Sequence, residues 1–221
     1  MPTRTVLERL NVSVQGPGDA PRTLVFVHGF GTTQAAWHGV AAAFRDEARV
    51  VLLDNAGTVG TPDGAFAQHR YLDLHGYAND LAELCDVLRL RGAVLVGHSA
   101  GAMICALTAV RRPELASRLV LIGASPRYRD GPGYHGGFTE REVATLYEEV
   151  ARNYPEWADR FAPRVMANGD RPDLARDFAA ALKTIPADRA LTVLCSNFQS
   201  DHRAEVARIA QPTLIVQSRE D

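Results

Sequence analysis

The stretch Ala93-Val94-Leu95-Val96-Gly97-His98-Ser99-Ala100-Gly101-Ala102-Met103 decides the fold. Its first four residues are a short, continuously apolar run of the kind buried on both faces of a parallel sheet. Residues 100–110 then read as a helix that stops near Pro113. Between the two lies a Gly-x-Ser-x-Gly turn carrying Ser99. A chain that passes from strand to helix so abruptly strains the central residue, and Gly97 and Gly101 relieve crowding against neighbouring elements. The serine hydroxyl then stands at a helix N-terminus, where backbone N–H groups point at developing negative charge. A serine N-cap between two packing glycines is the plainer alternative. The strand–turn–helix context favours Ser99 as a nucleophile.

Outward from this turn the same rhythm recurs. Residues 24–27, 50–53, 119–122 and 213–217 read as short buried strands, and residues 35–44 and 76–90 as helices, the latter with Tyr77, Leu81, Leu84 and Leu88 on one face. Such alternation predicts an α/β fold, a mostly parallel sheet with helices on both faces. Residues 6–9 and 11–15 look like two short strands closed by Gly16-Pro17-Gly18-Asp19, an edge hairpin on that sheet. From Ser125 the rhythm changes: residues 140–153, 155–167, 172–184 and 186–196 read as four helices without an intervening strand. Three of them have proline at or near the first turn, where its missing N–H costs nothing. A helical block inserted between two sheet strands is expected to roof the strands' C-terminal ends, where open sheets bind ligands. The expected organisation is a core over 1–124, a lid over 125–196 and a return to the core over 197–221.

Composition bounds the function. Of 221 residues, 46% are hydrophobic and 23% charged, a globular balance rather than a disordered one. A formal net charge of −2 gives no electrostatic case for nucleic acid or an anionic membrane. No uncharged apolar run reaches the length of a membrane span, and the N-terminus has no signal-peptide pattern. Cys85, Cys105 and Cys195 are dispersed in apolar helical patterns, which reads as buried thiols in a reducing compartment and not as a metal site. The expectation is a soluble cytoplasmic protein working without metal or cofactor.

Two further pieces complete the chemistry at Ser99. His28-Gly29-Phe30-Gly31 follows a strand directly, and acyl transfer needs two donors aimed at the oxyanion. The N–H after the nucleophile, from Ala100, and that of Phe30 are the candidates, with the Phe30 side chain lining the pocket. Asp221 comes right after the strand at 213–217, where the chain order Ser, acid, His places the acid that holds the base's tautomer. The sequence ends at that aspartate, immediately after a strand, and is expected to be C-terminally incomplete, lacking a final strand and helix.

Over essentially its whole length the chain resembles the small α/β-hydrolases that include the bacterial RsbQ stress regulators and the plant strigolactone and karrikin receptors. The resemblance rests on His28-Gly-Phe-Gly31 with Gln34 and Trp37, and on Val96-Gly-His-Ser-Ala-Gly-Ala-Met103. It continues through Arg111-Arg-Pro-Glu-Leu115, Leu121-Ile-Gly-Ala-Ser-Pro-Arg-Tyr128, Gly136-Gly-Phe138, Asn153-Tyr154 with Trp157, and Phe198-Gln-Ser-Asp201. The resemblance implies a four-helix, V-shaped lid over a largely apolar pocket. Phe30, Tyr128, Phe138, Trp157, Phe161 and Phe198 fall on pocket-type positions of that family, with His98 beside the nucleophile; core packing is the alternative for each aromatic. The family also implies hydrolysis of small esters or lactones and, in the bacterial branch, a partner phosphatase in sigma-factor signalling. The arginine-rich composition and Ser200-Asp-His-Arg203 place the chain nearer the bacterial branch. The family's catalytic histidine lies beyond its aspartate, and none of the seven histidines here, His202 included, occupies that place. The leading expectation is therefore a Ser-His-Asp ester or lactone hydrolase. A ligand-sensing module with little turnover and a haloperoxidase-like perhydrolase are the alternatives.

Overall fold

The computed structural model describes residues 5–219, so Asp221 lies outside the described residues. The order of elements is α1 (Val6–Arg9), β1 (Ser13–Gln15), β2 (Thr23–Val27), α2 (His38–Ala42), β3 (Arg49–Leu53), α3 (Leu74–Val87), β4 (Ala93–His98), α4 (Ala100–Arg111) and β5 (Ala116–Ile122). There follow α5 (Glu140–Arg152), α6 (Tyr154–Met166), α7 (Pro172–Lys183), α8 (Ala187–Phe198), α9 (Arg203–Val206) and β6 (Thr213–Val216). The strands form one sheet in the order β1-β3-β2-β4-β5-β6. Among the described residues only β1 runs antiparallel, against β3. The α/β architecture with a mostly parallel sheet is thus the one the sequence predicts.

Alternation along the strands divides the core. Val25 and Val27, Val51 and Leu53, Leu95, Leu119 and Leu121 pack with α3 and α4 on one face. Phe26, Val50, Leu52 and Val96 point the other way, toward Trp37 and Ala41. Because both faces are covered, these strands read as unbroken apolar runs rather than alternating ones.

The expected edge hairpin is half wrong. Residues 6–9 form a helical turn, α1, because Thr5 and Glu8 make a capping box: the Glu8 N–H donates to Thr5 Oγ1 (3.4 Å) and the Thr5 N–H donates to Glu8 Oε2 (2.9 Å). The helix expected over 35–44 is split into a 3-10 turn over Gln34–Trp37 and the short α2.

Between β5 and β6 the chain makes the four helices α5 to α8 without a strand of the sheet, and they own a separate apolar cluster built on Val143, Val150, Trp157, Leu182 and Leu194. Here α8 runs two residues past the expected end, to Phe198, because Asn197 and Phe198 are buried and stay in the helix. The cluster seats on the core where Gly31 faces Leu182 and Phe178 of α7.

Candidate active site

Strand β2 sits between β3 and β4, so the chain leaves it in one direction and later returns on its other side. That reversal opens a crevice at the C-terminal ends of β2 and β4, the place where parallel sheets take ligands. Two loops leave the strands at this point: His28 to Gly31 after β2, and Ser99 after β4.

Ser99 has φ 53° and ψ −120°, a conformation that costs a non-glycine residue about 1–3 kcal/mol. Its N–H donates to Ile122 O (2.8 Å), which ties the turn to the end of β5. The two loops press together. A Cβ on Gly101 would lie 2.3 Å from Val27 O, and one on Gly29 would lie 3.1 Å from the Ser99 Cβ. At Gly101 only hydrogen lets the loops approach this closely, and at Gly29 a side chain would need its neighbours to give by a few tenths of an ångström.

Among the described residues, neither the Phe30 N–H nor the Ala100 N–H has a hydrogen-bond acceptor, whereas the Ser99 and Ala102 amides beside them are satisfied. Both residues line a narrow cleft with Gly29, Gly31, Asn55, Thr58, Leu74, Tyr77, Ile104, Ile185 and Val193. Its space for water-sized molecules is about 20 Å³, room for roughly one water. The Ser99 hydroxyl lies 3.4 Å from Tyr128 OH. Among the described residues no imidazole or carboxylate reaches hydrogen-bond distance of it.

The surroundings are fixed by buried polar pairs. His28 is fully buried; its Nδ1–H donates to Gly29 O (2.8 Å) and its Nε2 accepts from the Asn55 N–H (2.9 Å). Loss of solvation holds this imidazole below its ordinary pKa, with the backbone bond to Gly29 and nearby Asp54 opposing. It is a neutral strut between β2 and β3, not a base. Buried Asp54 accepts from the Gln34 N–H (2.7 Å), Gln34 Nε2 (3.0 Å) and Asn11 Nδ2 (2.7 Å), and so anchors the chain just after the Phe30 loop. Burial pushes the Cys85 thiol up to about 12, and Cys105 higher still, so neither offers a thiolate.

The aromatic residues singled out from the sequence meet in one lid cluster. Tyr128 and Phe138 each stand 5.1 Å from Phe198, and Trp157 stacks on Phe161 at 4.4 Å, with Phe30 against the same cluster. Of the expected site residues that are described, only Phe30 and Ala100 line the cleft itself. His98 is exposed, with its ring between the Gly29 and Gly123 turns. His202 is buried against His75, with ring centres 5.4 Å apart. Asn55, Leu74, Tyr77 and Ile185 were not foreseen. Asn55 had one usable signal, its place just past the end of an apolar strand on the site's edge of the sheet.

A serine on a strained strand–turn–helix at the switch point of a parallel sheet, with two free amides beside it, defines a hydrolase of the doubly covered α/β class. The chain belongs to the α/β-hydrolase family, whose fold model matches residues 22–221. It is 40% identical over 223 residues to strigolactone esterase D14 of Arabidopsis thaliana, spanning 100% of this chain and 82% of that protein. With Karrikin insensitive 2 receptor CA of Petunia hybrida it shares 37% over 217 residues, 98% of this chain and 79% of the other. Among solved structures, the hydrolase olei00960 from Oleispira antarctica superposes with a TM-score of 0.92 at 29% identity, covering 97% of this chain and 78% of that one. The likeness to plant receptor-type hydrolases is therefore borne out.

Proposed function

We propose that the protein hydrolyses small esters or lactones through an acyl-enzyme on Ser99. The observation that carries this is the pair of N–H groups, Phe30 and Ala100, that find no acceptor among the described residues, in a cleft beside a serine held in a strained conformation. Ser99 Oγ attacks the carbonyl carbon, the carbonyl oxygen becomes an oxyanion held by the two amides, and the leaving group departs with a proton. Water then releases the acyl group and restores the serine. Asp221 is the proposed acid of a Ser-His-Asp set, whose histidine follows the acid in this class of enzyme. The aromatic lid cluster suits an apolar acyl or lactone group. The name strigolactone esterase, carried by a relative 40% identical, supports the substrate class.

The test is turnover of p-nitrophenyl acetate by the protein. Ser99→Ala is expected to lower kcat by several orders of magnitude. Undiminished turnover in that variant rejects the assignment.

A second reading, ligand sensing, is favoured by the receptor-named relative at 37% identity. In it the same pocket binds a small apolar ligand and the lid surface engages a protein partner, for which a regulatory phosphatase of a bacterial stress pathway is the candidate. Saturating bait that recovers no phosphatase from native lysate, with or without ligand, counts against it.

A further inference from the structure

Away from Ser99, three side chains converge where the lid rejoins the core. His75 lies in the first turn of α3, His202 caps the start of α9, and Glu205 lies within α9. Glu205 Oε1 is 3.3 Å from His75 Nε2 and 3.6 Å from His202 Nδ1, and one ligand atom from each residue lies within 4.8 Å of the other two. Donors bound to one zinc ion at about 2.0–2.2 Å in tetrahedral geometry stand about 3.3–3.6 Å apart, the spacing that Glu205 Oε1 already keeps to each imidazole.

Burial adds a second, independent observation. The His202 side chain is 5% exposed, and among the described residues both its ring nitrogens are buried without a hydrogen-bond partner, as is His75 Nδ1. Polar atoms left unpaired in the interior are costly and call for an explanation such as an ion. The Glu205 and His75 side chains are 28% and 34% exposed, which leaves a solvent-side path for the ion and a water as fourth ligand.

We propose that His75, His202 and Glu205 form a binding site for one divalent transition-metal ion, with zinc as the natural occupant. Two imidazoles and one carboxylate are a donor set that zinc accepts. The role is structural. The His202 N–H donates to Pro126 O (2.8 Å), so the segments entering and leaving the lid meet at this histidine. An ion shared with His75 pins both to α3, whose first turn also gives Leu74 and Tyr77 to the cleft. The site uses none of the residues proposed for ester hydrolysis, and either reading can fail without the other.

The test titrates chelator-stripped protein with Zn²⁺ by calorimetry, follows thermal unfolding with and without the ion, and records the visible spectrum with Co²⁺. One equivalent bound per chain, a higher unfolding midpoint and the spectrum of four-coordinate Co²⁺ are expected. His75→Gln and Glu205→Gln, both on the solvent side, are expected to fold and lose saturable binding. His202→Leu removes two orphaned buried nitrogens, so it is expected to lose binding yet melt no lower than the metal-free parent. No saturable uptake by the parent, six-coordinate Co²⁺, or unchanged affinity in folded His75→Gln and Glu205→Gln would overturn the proposal. If either Gln variant fails to fold, the parent's stoichiometry and Co²⁺ spectrum decide.

Discussion

A methyl group placed on Gly101 would sit 2.3 Å from Val27 O and 2.6 Å from His28 O, both rigid backbone atoms. Since the obstacle is backbone, no side-chain rotation relieves it, and one of the two loops at the crevice must retreat. Gly101→Ala is expected to lower stability by about 3 kcal/mol, the upper range for overpacking, and to reduce esterase turnover by misplacing the Phe30 amide. Urea unfolding and p-nitrophenyl acetate kinetics check both effects; a variant as stable and active as the parent would show that the loops are not tightly coupled. This pairing explains what could be read at residue scale. Ser99, Ala100 and Phe30 were legible because each belongs to a short local motif whose geometry follows from adjacent residues. Asn55, His75 and Glu205 were not, since their positions depend on packing between segments far apart in the chain.

Helix α1 was misread as a strand because four residues carry too little periodicity to separate the two, and its deciding feature is the Thr5–Glu8 box rather than its apolar pattern. Val6 and Leu10 seat α1 in the core, and charge ties it to α3. Buried Asp80 on α3 accepts from Arg9 Nη2 (2.9 Å) and Tyr71 OH (2.7 Å) and pairs closely with Arg70, so one carboxylate joins α1, α3 and the loop between β3 and α3. Asp80→Ala leaves Tyr71 without an acceptor and Arg9, its guanidinium mostly buried, with only Glu83 (2.7 Å) as a carboxylate partner. The expected loss is about 2 kcal/mol, in the range for a buried group that loses its hydrogen-bond partner, read as a lower urea midpoint. A loss under about 1 kcal/mol would mean that Arg9 and Arg70 swing to solvent at little cost. The lid helices were legible for the opposite reason: each is long, amphipathic and started by a capping box or an early proline. Trp157→Ala removes the ring stacked between Tyr154 and Phe161 and is expected to cost about 3–5 kcal/mol, measurable by the same unfolding.

For the molecule as a whole, the two most buried imidazoles set how stability responds to pH. Burial lowers the pKa of His28, against the opposing pull of its Gly29 bond and of Asp54, with His98 adding to the fall. It likewise lowers that of His202, against Glu205 and Asp73, with His75 adding to the fall. Unfolded, each ring takes a proton near the ordinary value of about 6.5, while the native rings stay neutral to lower pH. Between the native and unfolded values the unfolded chain holds more protons, so native stability rises with pH there and falls on acidification below about 6.5. In that window each group steepens the slope by up to about 1.4 kcal/mol per pH unit. The urea midpoint of metal-free protein is therefore expected to drop between about pH 7 and pH 5.5. His202→Leu should keep the His28 share of the fall and lose its own, flattening the curve. A midpoint constant across this range, or a slope untouched by the substitution, would show that the rings gain protons equally in both states and overturn this reading.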